Sequence, residues 1–232
     1  MEMEQTLREG LPGLELALSE QTQKTLCDFG RAVVEQNKVM NLTAITEPAQ
    51  VAKLHLLDSL TVLAVQDLTG KKVIDVGCGA GFPGVPLKIA CPGMELTLLD
   101  SLGKRMNWLQ TVLPTLGVTA KCVTARAEEA VETCREQYDF ATSRAVARLP
   151  VLLELTAPYV KVGGAVLAMK GAAAQEELQE AQKAIKVLGL KVESVREFPI
   201  DGTNHAVIVL RKIAPTPKQY PRRFAKIKQA PL

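Results

Sequence analysis

At 232 residues, with 47% hydrophobic and 23% charged content, the chain has the make-up of an ordinary globular protein. A chain of this length buries about 70% of its unfolded surface and needs no staples. It has no run of ~20 apolar residues to span a membrane, and no C-x-x-C pair of a zinc knuckle among Cys27, Cys78, Cys91, Cys122 and Cys134, whose odd number also argues against a disulfide framework. The start, MEMEQTLREG, carries acids where a signal peptide carries cations, so the expectation is a cytoplasmic protein with reduced thiols. The net charge of +3 conceals an asymmetry: residues 211–232 hold seven cations and no acid, and setting that +7 against +3 leaves −4 for the rest. An acidic body with a basic tail points to a polyanionic partner.

The first 70 residues read as helical. From Glu20 to Glu35 the apolar Leu26, Phe29, Val33 and Val34 recur at three- and four-residue steps, which puts them on one face. A second helix follows Asn41-Leu-Thr43, with Thr46 as its cap, Pro48 in its first turn, and Leu54, Leu57, Leu60, Val62 and Leu63 as its buried side. Short apolar runs then alternate with amphipathic stretches. Strands are expected at 73–76, 96–99, 121–125, 140–143 and 165–169, and helices at 86–90, 104–116, 150–160 and 175–188. Two last strand-like runs, 191–198 and 206–211, are joined by Pro199-Ile-Asp-Gly202, a turn short enough to join only antiparallel neighbours. Buried strands without polar alternation, separated by helices, make a parallel sheet covered on both faces.

The central motif is Val73-Ile-Asp-Val-Gly-Cys-Gly-Ala-Gly-Phe-Pro-Gly84: a strand ends, glycines let the backbone turn and approach a ligand, and a helix begins. Gly79-Ala-Gly81-Phe-Pro-Gly84 also satisfies the dinucleotide pattern G-x-G-x-x-G, so the glycines alone do not choose a ligand. Asp75 sits inside the strand, where a nicotinamide site keeps an apolar residue, and either orders the glycine loop or meets an ammonium. Pro83 removes an N–H where a pyrophosphate would want donors. Asp100, at the tip of the second strand, is placed to accept both hydroxyls of a ribose. Together these favour S-adenosyl-L-methionine, with Asp75, Gly77, Gly79 and Asp100 around it, over a nicotinamide. The sheet pattern agrees, since class I S-adenosylmethionine-dependent methyltransferases close a Rossmann-like, seven-stranded α/β sheet with a C-terminal antiparallel hairpin. The expected organisation is an N-terminal helical extension (1–70), a methyltransferase domain (71–212) and a basic C-terminal tail (213–232).

The chain resembles the bacterial ribosomal RNA small-subunit methyltransferase G family, once called glucose-inhibited division protein B, from about residue 20 onward. The resemblance rests on Asn37…Asn41-Leu-Thr43, His55…Asp58-Ser-Leu60, the glycine motif ending Phe82-Pro-Gly84, Ala127-Glu128, Ser143-Arg144-Ala145 and Thr216-Pro-Lys-Gln-Tyr-Pro-Arg-Arg223. It implies methylation of N7 of a guanosine in 16S rRNA, or in the 30S subunit, by a cytoplasmic enzyme. It implies cofactor contacts at Gly77, Phe82, Ala127, Glu128 and Arg144. Cys78 stands where the family more often has serine or threonine, and the ending Phe224-Ala-Lys-Ile-Lys-Gln-Ala-Pro-Leu232 departs from the family's glycine-proline run.

Guanine N7 offers an unprotonated lone pair, so no catalytic base is expected and none is assigned. An Asn-Pro-Pro-Tyr motif for exocyclic amines and a Pro-Cys or Ser-Cys nucleophile for pyrimidine carbons are both missing. His55 and Asp58 are three apart and share a helical face; they either help hold the guanine or bond locally beside the sheet. Asn41 and Thr43 carry the same two readings, Glu128 doubles as a helix-start acid, and Arg144 closes over the cofactor, meets an RNA phosphate or is an ordinary surface arginine. Lys218, Arg222 and Arg223 are the candidate phosphate contacts, with Tyr220 and Phe224 as stacking faces. Truncation before Lys218 is therefore expected to weaken RNA binding and leave cofactor affinity unchanged. The protein is expected to act as a monomer without a metal. The alternatives are a small-molecule methyltransferase, which gives the tail no purpose, and a non-catalytic RNA-binding module on the same fold.

Overall fold

Aliphatic runs such as Lys72-Val-Ile-Asp-Val76 and Glu95-Leu-Thr-Leu-Leu-Asp100 form strands whose both faces are covered. The computed structural model describes residues 1–232 and contains seven such strands: β1 (Lys72–Val76), β2 (Glu95–Asp100), β3 (Lys121–Thr124), β4 (Tyr138–Arg144), β5 (Val160–Lys170), β6 (Leu190–Ile200) and β7 (Thr203–Lys212). They make one sheet in the order β3-β2-β1-β4-β5-β7-β6. β1 pairs in parallel with β2 (Val73 beside Leu96) and with β4 (Val73 beside Phe140). The expected hairpin is present, and its second strand enters beside β5, so β7 runs antiparallel to both β5 and β6.

Alternate residues of each strand point to opposite faces, and a different set of helices covers each face. On one side, Val73, Leu96, Leu98, Leu167 and Val209 share a core of 37 buried residues with α1 (Glu2–Gly10), α2 (Glu20–Met40), α5 (Gly84–Ala90) and α6 (Gly103–Thr115). The same core takes in the helical stretch of α3 (Pro48–Val51) and α4 (Asp58–Leu60). The first 70 residues thus build the wall of the sheet itself. Between α3 and α4 the helix widens into a π turn over Ala52–Leu57, which carries His55. On the other side, Ile74, Val76, Leu99, Val166 and Ile208 pack against α7 (Ala127–Cys134), α8 (Leu149–Thr156), α9 (Ala174–Glu180) and α10 (Gln182–Val187).

Three elements differ from the sequence-based expectation. The helix expected at 150–160 ends at Thr156 and tightens into a 3-10 turn over Ala157–Tyr159, because Pro158 has no N–H to give. The stretch 175–188 breaks into α9 and α10 at Ala181. Residues 213–232 are no free tail: they fold back across α8 and end in α11 (Phe224–Gln229), whose Ile227 is fully buried against Val151 and Leu155. No helix is long and apolar enough to cross a membrane.

Candidate active site

After Val76 the chain enters the glycine loop. Gly77 and Gly79 have φ of +72° and +57°, values that favour glycine. The N–H groups of Gly77 and Cys78 donate to the Leu99 carbonyl at 2.8 and 3.1 Å, which stitches the loop to the end of β2. A Cβ added at Gly77 would meet Val146 Cγ2 at 2.6 Å, whereas one at Gly79 would meet nothing nearer than 3.8 Å. Conformation demands both glycines, and space demands only the first.

Two acids hold this loop from below. Asp75 is fully buried; its Oδ2 accepts the Gly84 N–H at 2.8 Å and its Oδ1 has no partner. Of the two roles open to it, ordering the loop is realised, and burial pushes its carboxyl up to about 7. Asp100 accepts the Gly79 N–H on Oδ2 at 2.9 Å and the Leu102 N–H on Oδ1 at 2.8 Å. A carboxylate has about four lone-pair sites, so both oxygens keep capacity for hydroxyls. Beside them opens a cavity of about 160 Å³, lined by Gly77, Asp100, Ala127, Glu128, Val146 and Phe224 among others. The Tyr159 hydroxyl donates to the Ala127 carbonyl at 2.6 Å and fixes that wall.

A second, larger cavity of about 750 Å³ opens beyond the carboxyl ends of β4 and β5. Its polar centre is Asp58, a buried carboxylate that accepts Arg144 on Oδ2 at 2.7 Å and meets His205 Nδ1 on Oδ1 at 2.8 Å. Burial opposes its charge, but His205 and the Arg144 guanidinium together hold the carboxyl below its ordinary value. The hydrogen bond to Asp58 raises His205 in turn. Arg144 also donates to the Leu54 carbonyl at 2.8 Å, and its other terminal nitrogen lies 3.2 Å from His55 Nδ1. His55 Nδ1 also lies 3.1 Å from the Leu54 carbonyl, and its Nε2 lies 2.7 Å from Thr43 Oγ1, so the ring is tied on both edges. Burial first, then Arg144, lower His55 to about 4. Asn37 Oδ1 accepts the Leu42 and Thr43 N–H groups, so the Asn-Leu-Thr turn serves to aim Thr43 at His55.

The structure gathers Asp75, Gly77, Gly79, Asp100, Ala127 and Glu128 around one cavity or its supporting loop, and His55, Asp58 and Arg144 around the other. Three placements add to the sequence reading. The Phe82 ring stacks on His55 at 4.6 Å and lies 5.0 Å beneath the Arg144 guanidinium. Arg144 is no ordinary surface arginine, since it is paired with Asp58 and is mostly buried. Arg222 is not free for a phosphate: Nε and a terminal nitrogen reach the fully buried Glu154 at 2.8 and 2.6 Å. Of the tail's seven cations, Arg211, Lys212 and Arg222 have acidic partners, which leaves Lys218, Arg223, Lys226 and Lys228. Sequence reasoning missed His205 and Lys170, which also lines the larger cavity and pairs with Glu177. The available signal was rarity, because the chain has only two histidines and both sit on this cluster.

A seven-stranded sheet in this order, a glycine loop after its first strand and an acid closing the second define a class I S-adenosylmethionine-dependent methyltransferase. A solved structure of M. jannaschii TYW2 in complex with AdoMet shares this fold at a TM-score of 0.56, with 12% identity over 67% of this chain and 75% of that one. The family model of rRNA small subunit methyltransferase G matches residues 22–206, and the chain belongs to that family. The ribosomal RNA small subunit methyltransferase G of Alkaliphilus oremlandii is 44% identical over the whole of both chains. That of Desulfitobacterium hafniense is 44% identical over 88% of this chain and 87% of its own.

Proposed function

We propose that this chain methylates N7 of a guanosine in the 16S rRNA of the small ribosomal subunit, as a cytoplasmic monomer, with S-adenosylmethionine in the smaller cavity and the guanine in the larger. One observation carries the assignment of the two cavities: Val146 lines both, so their contents meet at that side chain.

The residues of the smaller cavity fit the cofactor. Gly77 leaves a cradle that a Cβ would fill, Asp100 keeps lone pairs for ribose hydroxyls, and the buried Asp75 holds the loop through the Gly84 N–H. Ala127 and Glu128 border the base, and the loop of Gly79 and Phe82 supports it through the backbone. Bound there, S-adenosylmethionine supplies an electrophilic methyl carbon on a sulfonium.

The chain's own residues then have one task, which is to hold the guanine in line. N7 is unprotonated at neutral pH, so no side chain needs to remove a proton, and positioning is worth up to about 7–11 kcal/mol when fully realised. Arg144 suits that task. Two of its five N–H donors are engaged by Leu54 and Asp58, and Nε and the second terminal nitrogen keep donors for O6 on the N7 edge of guanine. His55 and Asp58 are positioning residues that fix Arg144 from both sides. Around the site, Lys218, Arg223, Lys226 and Lys228 supply phosphate contacts that encode no sequence.

Incubating the protein with tritiated S-adenosylmethionine and 30S particles or naked 16S rRNA, then mapping the labelled base by mass spectrometry, tests the reading. Label on a guanine N7 is the expected result. Label only on small metabolites would favour the small-molecule alternative.

A further inference from the structure

The C-terminal arm beyond the family match is anchored with its own set of buried contacts. Thr216 is buried and its N–H donates to Glu136 at 2.8 Å, while Arg135 donates to the Tyr220 carbonyl. The Arg222 N–H and side chain both donate to Glu154, a carboxylate with no exposed surface, and Arg222 also reaches the Ala230 carbonyl at 3.1 Å. Breaking such a pair strands a buried charge, so the arm is held in its docked position. Ile227 lies three residues beyond Phe224 on the same side of α11 and is fully buried, whereas Arg223, Lys226 and Lys228 are exposed. Phe224 is therefore bracketed by two anchors, Arg222 before it and Ile227 after it.

Held in this way, Phe224 lines the same cavity as Gly77, Asp100 and Ala127, next to Leu155 and Val146. The walls of that cavity differ in chemistry. Asp100 offers acceptors for hydroxyls, the backbone of 125–127 offers peptide groups for a polar edge, and Phe224, Leu155 and Val146 offer apolar surface. A purine needs both a polar edge and two apolar faces, and only an aromatic ring meets its π face with π surface.

We infer that Phe224 is a cofactor-binding residue that forms a wall of the adenine site, so that the C-terminal arm grips the cofactor on its inner side and presents cations on its outer side. This rests on the assignment of the smaller cavity to S-adenosylmethionine. It reverses the expectation that removing the arm leaves cofactor affinity untouched.

Calorimetric titration of the full-length protein with S-adenosylmethionine and, separately, with adenosine tests the inference. Phe224→Ala is expected to weaken both ligands about tenfold, as loss of one base-stacking face does. Phe224→Leu keeps apolar bulk against Leu155 and is expected to fall between the two, while Lys183→Ala, an exposed lysine on α10, is expected to match the wild type. Thermal melting establishes that each variant is folded, and the leucine variant serves if alanine loosens the arm. Folded variants that bind both ligands as tightly as the wild type would overturn the role of Phe224 and leave the cavity assignment intact. A wild-type protein that binds neither ligand would overturn the cavity assignment itself.

Discussion

The two cavities are built in opposite ways. The smaller one is held largely by backbone: the Gly77 and Cys78 amides on Leu99, the Gly79 and Leu102 amides on Asp100, and the Ala127 carbonyl under Tyr159. The larger one is held by side chains from distant segments, with Arg144 and His205 on the Asp58 carboxylate and His55, tied to Thr43, behind Arg144. The first can be disrupted mainly by adding atoms, the second by removing them.

The largest effect should come from adding atoms at Gly77. Gly77→Val combines a positive φ with a Cβ driven into Val146, and cofactor binding should vanish from calorimetry while the circular-dichroism spectrum keeps its sheet and helix signals. Next, Arg144→Ala removes a partner of a buried pair. Unfolding in urea should show a loss of about 3 kcal/mol, the low end for such pairs because Asp58 keeps His205. Methyl transfer should fail with the Kd for S-adenosylmethionine unchanged. A large change in that Kd would blur the separation between the two sites.

Two titrations sharpen the contrast further. Asp75 is raised from 3.8 to about 7, so over that interval the native state holds a proton that the unfolded state has released, and stability falls as pH rises. Asp75→Asn should remove that fall, which is on the order of 4 kcal/mol at full ionisation; denaturation curves of both proteins across the window would measure it. His205 is raised by its hydrogen bond to Asp58, so its contribution is full below about 6.5 and is lost as pH rises through its native value. His205→Asn should therefore lose more stability at pH 6 than at pH 9. The smallest effect lies in the arm, where Arg223→Ala should lower the slope of log affinity for RNA against log salt by about 0.7–0.9.

This difference in construction also explains what the sequence disclosed. The glycine loop, Asp75 and Asp100 span 26 residues, and their roles follow from backbone conformation over short stretches, so the motif can be read directly. His205 comes 147 residues after Asp58, and nothing local announces their contact. The ring contacts of Phe82 are of the same non-local kind: its backbone belongs to the loop, but its ring packs on His55 and Phe29, which lie 27 and 53 residues earlier in the chain. The arm deceived through composition. A run with seven cations and no acid looks solvated until acids elsewhere, Glu193, Glu136 and Glu154, are found opposite three of them. The sheet was legible because alternation of strands and helices is a local pattern, and its antiparallel finish is forced by a short turn.

The π turn at Ala52–Leu57 has a consequence for the aim of this cluster. A helix advances about 100° per residue, so the one extra residue in a widened turn resets the bearing of everything after it. Asp58, the first residue beyond the turn, points at Arg144 and His205 on that reset bearing. Chain length as well as residue identity therefore sets the aim of the carboxylate. A lineage that lost one residue from this turn could keep every side chain of the cluster and still leave Arg144 without its counter-ion.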